Sequence, residues 1–168
     1  MKANYLSKSE TVKLLKKLKE VEWLSNILED NVKTIFKIEV DDLSIYKIGG
    51  LVLLEKSNLL FPTLREEFSG KILDNMSYII VDMGAVSHIV NGADVMRPGV
   101  REVHGVFKKD SLLVVRDERN RKPLAIVKLL VDYEEFRSIV KGKVAKNIHY
   151  VNDKIWSLLE EVKNMLER

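Results

Sequence analysis

A run of backbone-shaping residues, Asn91–Gly99 (NGADVMRPG), is the part of this sequence best suited to bind a ligand. Its two glycines permit positive φ and let another backbone come close, and Pro98 fixes φ and removes an N–H donor. Arg97 adds a planar guanidinium suited to a phosphate or a base edge. A concave backbone surface beside a cation would suit a flipped base or a phosphate–sugar bend, although a tight structural turn would use the same residues.

Catalytic or metal-binding use of the other polar residues is poorly supported. The three histidines, His88, His104 and His149, do not lie four residues from one another, the spacing that places two ligands on one helix face. Asp82 and Asp94 would fit a general acid–base pair, but no nucleophile or oxyanion site accompanies them. A helix cap or turn hydrogen bond is the better interpretation, so we predict no catalytic residue and no metal site.

Composition excludes further classes of protein. The 168-residue chain has no cysteine, which excludes disulfides, CxxC zinc sites, iron–sulfur clusters and thiol nucleophiles. It also lacks the GxxxxGK[ST], GxGxxG and GxSxG patterns of phosphate-binding loops and hydrolase nucleophiles. No apolar run approaches the roughly 20 residues that a membrane helix needs. We expect a cytoplasmic protein that is not an enzyme, uses no cofactor and binds no membrane.

Basic residues are unevenly distributed along the chain. Residues 1–74 hold 12 basic and 12 acidic residues, whereas residues 75–168 hold 16 and 13 and account for the whole net charge of +3. Residues 97–128 contain nine basic and four acidic residues, and Arg137–Lys146 contains four basic residues and no acidic one. Such local excess attracts phosphate, although a solvated lysine-rich surface gives the same pattern.

The first 74 residues predict a helix followed by an antiparallel sheet. Ser7 and Glu10 form the pattern of a capping box, and apolar residues then recur at helical spacing to Val21. Alternating apolar residues and short turns predict three strands, at 32–40, 43–48 and 51–56. Pro62 fits the first turn of a second helix that continues to Phe68.

The second half predicts more strands and shorter helices. Strands are expected at 78–81, 103–107, 112–116, 124–131 and 147–151. A short helix or a turn is expected at 85–90, and helices are expected at 133–140 and 155–166. The element at 85–90 precedes the Asn91–Gly99 loop, and Asp153 caps the last helix.

Three stretches of the second half resemble a PUA domain, the module shared by pseudouridine synthases and archaeosine transglycosylases. Tyr78–Val100 (YIIVDMGAVSHIVNGADVMRPGV) looks like the opening of that domain, and Phe107–Val115 and Lys122–Asp132 fall where it has its middle strands. FPTLRE ahead of this region and Asn147–Trp156 (NIHYVNDKIW) at its end are similar to the malignant T-cell amplified sequence family. The composition favours an archaeal-type member.

This resemblance implies an α+β fold. A pre-PUA domain at 1–74 would pair a helix with an antiparallel sheet. A PUA pseudo-β-barrel with short helices would follow at 75–168, with a C-terminal helical extension. Members of the family work in translation with the density-regulated protein on the small ribosomal subunit. The resemblance therefore implies an RNA-binding protein that acts on the small ribosomal subunit or tRNA in initiation or recycling.

Two roles stay open at this point. The chain is expected to be a monomer that binds rRNA or tRNA, with or without a partner like the density-regulated protein. The alternative is an accessory factor of rRNA or tRNA biogenesis or modification that binds precursor RNA. The resemblance places the loop and the final strand side by side, which gives the expected RNA-binding residues Gly92, Ala93, Asp94, Val95, Met96, Arg97, Pro98, Gly99, Arg101, Lys146 and His149. Arg97 is expected to contact RNA without contributing to folding.

Overall fold

The chain folds into two compact units. The computed structural model describes all 168 residues, of which Met1–Asn75 and Arg168 form the first unit and Met76–Glu167 form the second. Each unit has its own sheet, with five strands in the first and six in the second. No helix combines the length and the apolar character needed to cross a membrane.

The first unit is an antiparallel meander with two helices. Its elements are β1 Lys2–Tyr5, α1 Lys8–Leu18, a 3₁₀ turn Glu22–Leu24, β2 Phe36–Val40, β3 Leu43–Ile48, β4 Leu51–Lys56, β5 Leu59–Pro62 and α2 Glu66–Asp74. The strands lie in the order β1-β2-β3-β4-β5. The predicted capping box starts α1, with the Ser7 hydroxyl accepting from the Glu10 N–H and the Glu10 carboxylate accepting from the Ser7 N–H.

Two details of the first unit differ from the prediction. Strand β2 begins at Phe36 rather than at residue 32, and β1, for which no strand was predicted, pairs with it. Pro62 ends β5, opposite Leu53, and does not start a helix. The second helix begins four residues later because cross-strand pairing holds Leu59–Pro62 extended.

The second unit is a curled mixed sheet with short helices. Its elements are β6 Tyr78–Val81, α3 Met83–Ile89, β7 Val95–Met96, a 3₁₀ turn Arg97–Gly99, β8 Val100–His104, β9 Leu112–Asp117, β10 Pro123–Leu129, α4 Tyr133–Ser138, β11 Lys143–Tyr150, α5 Lys154–Glu161 and α6 Lys163–Leu166. The strand order is β7-β11-β10-β9-β6-β8, in which only the β6–β9 pair is parallel. Register shifts interrupt four of its strand pairs, which is how a sheet bends toward closure.

One apolar core fills the concave side of this sheet. Fully buried side chains from β6, β9 and β10, among them Ile79, Leu113 and Val127, meet Phe136 of α4 and Ile89 of α3. Because α3 contributes to this core, its position on the sheet is fixed, and so is the loop that follows it. The predicted α+β class is confirmed, with a unit of helices and an antiparallel sheet followed by a curled sheet with short helices.

Candidate nucleic-acid interface

Helix α3 is tied at its start to the loop 91–99. The Asp82 carboxylate caps the helix by accepting from the Ala85 N–H at 2.8 Å, as the sequence favoured. The Asp82 N–H in turn donates to the Gly99 carbonyl at 2.9 Å. A Cβ at Gly99 would lie 2.9 Å from the Ala85 Cβ, so only glycine lets the loop lie this close to the helix.

Strand β11 fixes the other end of the loop. The Asn147 side-chain amide donates to the carbonyls of Ile89 and Ala93, both at 3.0 Å. Gly92 has a φ of +93°, and a Cβ there would lie 3.1 Å from the Tyr150 ring. The loop is therefore preorganised, since its shape depends on hydrogen bonds and packing that exist before any ligand arrives.

A surface cleft of about 600 Å³ lies between α3 and the loop. Residues of helix, loop and β11 line it: Asp82, Gly84, Ala85, His88, Ile89, Ala93, Asp94, Val95, Met96, Pro98, Gly99 and Lys143. Most of the lining is apolar, and Met96 is 50% exposed although it is a large hydrophobic side chain. A shallow apolar cleft with a few polar groups at its rim has the character of a site for a planar ring system.

Charged pairs stand at the rim of the cleft. The Lys143 ammonium lies 2.9 Å from the Asp94 carboxylate, which also accepts from the Asn147 N–H at 2.8 Å. Burial raises the pKa of Asp94, but the hydrogen bonds from Lys143 and Asn147 outweigh it and hold the pKa below its usual range. The Arg101 guanidinium lies 3.4 Å from the second oxygen of Asp82. Both cations are exposed and accessible to an incoming phosphate.

The structure brings together most of the predicted site residues. Ala93, Asp94, Val95, Met96, Pro98 and Gly99 line the cleft. Gly92 shapes the loop behind it, and Arg101 reaches its rim through Asp82. Lys146 is exposed outside the lining, and its charge also lowers the pKa of Asp94. Val95 is only 1% exposed and belongs to the apolar core, whereas the exposed lining residues are available to a ligand. Contact of these residues with RNA stays a prediction.

Arg97 requires a correction. Its guanidinium does not point into the cleft but donates from Nε to the Phe136 carbonyl at 2.9 Å and from a terminal nitrogen to the Val100 carbonyl at 3.4 Å. The same group stacks over the Phe136 ring at 5.0 Å. The 3₁₀ turn at Arg97–Gly99 directs this side chain back toward α4, so the expectation that Arg97 contributes nothing to folding is wrong.

His149 also requires a correction, because its side chain is fully buried. It lies on β11 opposite Ile126, on a face that solvent does not reach. Its Nδ1 lies 2.8 Å from the carboxylate of Asp153, the residue that caps α5. A buried imidazole in such a pair cannot line an RNA-facing surface.

Six lining residues were not predicted as site residues. Asp82 was interpreted as a cap, His88 was considered only as a metal ligand, and Gly84, Ala85, Ile89 and Lys143 were not singled out. Lys143 lies in the predicted basic segment, so its type was visible, but its place beside Asp94 depends on the pairing of β7 with β11. No group of three or more histidine, aspartate or glutamate side chains is placed to hold a metal ion.

A second cavity, of about 350 Å³, lies within the first unit. Its charged lining consists of Glu29, Glu66, Glu67 and a single cation, Lys71. Three carboxylates against one cation repel phosphate, whereas the two carboxylates of the cleft beside α3 are each paired with a cation. This cavity is therefore a poor candidate for RNA, and the cleft beside α3 remains the candidate interface.

Comparisons with known proteins bear on the family to which this chain belongs. Residues 77–151 match the family model of the PUA domain. The chain is 32% identical over 164 residues to an uncharacterised protein of Methanocaldococcus jannaschii, covering 93% of this chain and 96% of that protein. It is 33% identical over 158 residues to translation machinery-associated protein 20 of Eremothecium gossypii, covering 89% and 84%.

A similar fold has been solved in an archaeon. The crystal structure of a PUA domain from Aeropyrum pernix, in complex with tartrate, has a TM-score of 0.75 and 25% identity. The match covers 95% of this chain and 91% of that one. Malignant T-cell-amplified sequence 1 of Rattus norvegicus is 26% identical over 147 residues, covering 81% of this chain and 76% of that protein. The chain therefore belongs to the family of translation machinery-associated protein 20 and the malignant T-cell-amplified sequence proteins, and it carries a PUA domain.

Proposed function

We propose that this protein is a non-catalytic RNA-binding protein that acts in translation, with the small ribosomal subunit or tRNA as its RNA partner. The observation that carries the proposal is the preorganised cleft between α3 and the loop 91–99, apolar inside and flanked by Arg101 and Lys143. An unstacked base would occupy the apolar part while the two cations meet neighbouring phosphates. The names of the relatives support translation as the setting.

A binding role fits the state of the acidic groups in the cleft. Asp82 is engaged by a helix N–H and an arginine, and Asp94 by a backbone N–H and a lysine. The partners of Asp94 favour its ionised form, which does not suit a group that must exchange protons near neutral pH. The carboxylates hold the loop and the cations in place, which is the work of a binding site.

A cleft-filling substitution tests this proposal. Ala93 is exposed and lines the cleft, and it bonds through its backbone only. Ala93→Leu therefore adds volume where a base would lie without removing a hydrogen bond, and we expect the affinity for single-stranded RNA to fall about tenfold or more. Fluorescence anisotropy at fixed salt measures it. Ala3→Leu, an exposed alanine on β1, is the matched control and should leave binding unchanged.

Two further measurements test the electrostatic part of binding and the identity of the RNA partner. With about four phosphates neutralised, log K should fall against log salt with a slope of roughly −3. Cosedimentation then distinguishes mature small subunits from precursor particles. An affinity for RNA that changes neither with salt concentration nor in Ala93→Leu would contradict the proposed site. Association with precursor particles alone would contradict the role in translation.

A further inference from the structure

The hairpin between β9 and β10 holds cations that the proposed cleft does not use. Arg119 and Lys122 are exposed, and neither side chain makes an ion pair. Arg121, between them, reaches only Glu102 of β8, at 3.4 Å. A hairpin tip with three cations in four residues is a surface that can meet a polyanion.

A largely buried carboxylate makes this hairpin rigid. Asp117 is 5% exposed and accepts three backbone N–H groups, from Arg119 at 3.0 Å, Asn120 at 2.6 Å and Lys122 at 3.1 Å. Burial raises the pKa of Asp117, but these N–H donors outweigh it and hold the pKa below its usual range. The cations are thus presented on a fixed backbone, which reduces the entropy lost when a ligand is bound.

Two of the carboxylates beside this hairpin, Asp117 and Glu118, are bound to backbone N–H groups, and the third, the exposed Glu102, pairs with Arg121. The carboxylate of Asp117 is turned inward, and that of Glu118 accepts from the Met83 N–H at the start of α3, at 3.1 Å. Arg121 has a φ of +56°, a conformation that glycine or asparagine adopts more readily. The backbone of Arg121 is therefore strained, and its exposed side chain gains no core packing.

The contacts connect this hairpin to the cleft. The Glu118 carboxylate accepts from the first residue of α3, and the helix cap Asp82 and the helix residues Gly84 and Ala85 line the cleft. On β8, an edge strand of the sheet, Arg101 pairs with Asp82 and the next residue, Glu102, pairs with Arg121. Arg101 at the rim of the cleft and Arg121 of the hairpin are thus connected through two successive residues of β8, Arg101 and Glu102.

We infer that the RNA strand whose base enters the cleft continues along the β8 edge, and that its phosphates are held by Arg119, Arg121 and Lys122. The inference rests on the proposed function, because it extends the strand bound there. The ligand is a single-stranded RNA longer than the few nucleotides that the cleft accommodates. The hairpin acts on the backbone alone and is therefore tolerant of sequence.

The test compares two RNA lengths. The double variant Arg119→Ala/Lys122→Ala removes two cations but keeps the backbone N–H groups that Asp117 accepts. Its matched control, Lys108→Ala/Lys109→Ala, removes two exposed cations from a different turn of the same unit. Anisotropy is measured with labelled single-stranded RNA of about three and about twelve nucleotides.

We expect the hairpin variant to weaken binding of the longer RNA about tenfold and to reduce its salt slope by about 1.4, which is 0.7 for each lost phosphate contact. The shorter RNA should bind as before. Loss of equal size in the Lys108→Ala/Lys109→Ala control, or equal loss on both RNA lengths, overturns the inference. If Ala93→Leu weakens both RNAs while the hairpin variant behaves like wild type, the proposed function stands and the extended path fails. If Ala93→Leu changes neither, the cleft itself is excluded.

Discussion

Single side chains in this protein serve structure and ligand binding in ways that their type does not reveal. Arg97 and Arg101 lie four residues apart, yet Arg97 bonds two backbone carbonyls while Arg101 stays exposed at the rim of the cleft. Arginine allows both uses because its planar group satisfies several acceptors at once or meets a phosphate bidentately. Exposure and partners separate the two roles.

Replacing Arg97 should therefore lower stability. In Arg97→Ala, the carbonyls of Phe136 and Val100 lose a charged donor and the Phe136 ring loses a stacking cation, so we expect the free energy of unfolding to fall by about 1–3 kcal/mol. Urea denaturation measures it. The control is Arg137→Ala, an exposed arginine stacked on Tyr133 at 5.6 Å, which should cost about 0.5 kcal/mol or less. Equal decreases in the free energy of unfolding in the two variants would show that the hydrogen bonds of Arg97 do not contribute to stability.

At the scale of elements, the cleft depends on how closely a loop can approach a helix and a strand. Gly99 against α3 and Gly92 against β11 are the two points of closest approach. Side chains at these points would push the loop outward and change the cleft between them. The glycines therefore position the site, although no atom of theirs needs to react.

Gly92→Ala tests this arrangement. The new Cβ would combine a φ of +93° with a contact of 3.1 Å to the Tyr150 ring, so we expect a loss of at least about 1 kcal/mol in the free energy of unfolding. Gly70→Ala is the matched control, because Gly70 lies within α2 with open space around its Cβ position. That substitution should stabilise by about 0.5–1 kcal/mol. If urea denaturation gives Gly92→Ala the same free energy of unfolding as the wild type, the loop can move to accommodate the new Cβ.

At the scale of the whole molecule, buried carboxylates link stability to pH. Asp117 holds the β9–β10 hairpin, and Asp153 caps α5 while it pairs with His149. Burial raises the pKa of Asp153, but hydrogen bonds from His149 and the backbone outweigh it, so the pKa of both aspartates lies below the usual range. Each therefore favours the folded state only while it is ionised.

Stability should fall on the acid side. Because both folded-state pKa values are depressed, their contribution is complete above the unfolded value of about 3.9 and is lost as the pH falls through the folded values. We expect the free energy of unfolding to be constant from neutral pH to about pH 5 and to decrease below about pH 4. Urea denaturation across this range measures it. Asp117→Asn should lower stability at neutral pH and flatten part of the acid decrease, and an unchanged acid limb in that variant would rule out Asp117 as a source.

The sequence by itself determined the features that depend on near neighbours. The caps at Ser7, Asp82 and Asp153 were visible because a side chain and the N–H it accepts lie only three residues apart. The loop 91–99 was visible because glycine and proline restrict the backbone wherever they occur. The resemblance to the PUA domain and to the family was visible because stretches such as Tyr78–Val100 carry the family's residues in the same order.

Only the tertiary structure decided what each residue faces. Arg97 meets a carbonyl 39 residues away, and Asp94 meets the backbone of a residue 53 positions away. Such partners are set by strand pairing and by the bend of the sheet, which local patterns do not specify. The same holds for His149, whose burial depends on the pleat of β11 and the cap of α5. Side-chain direction changes with each register shift, so burial and partners require the assembled sheet.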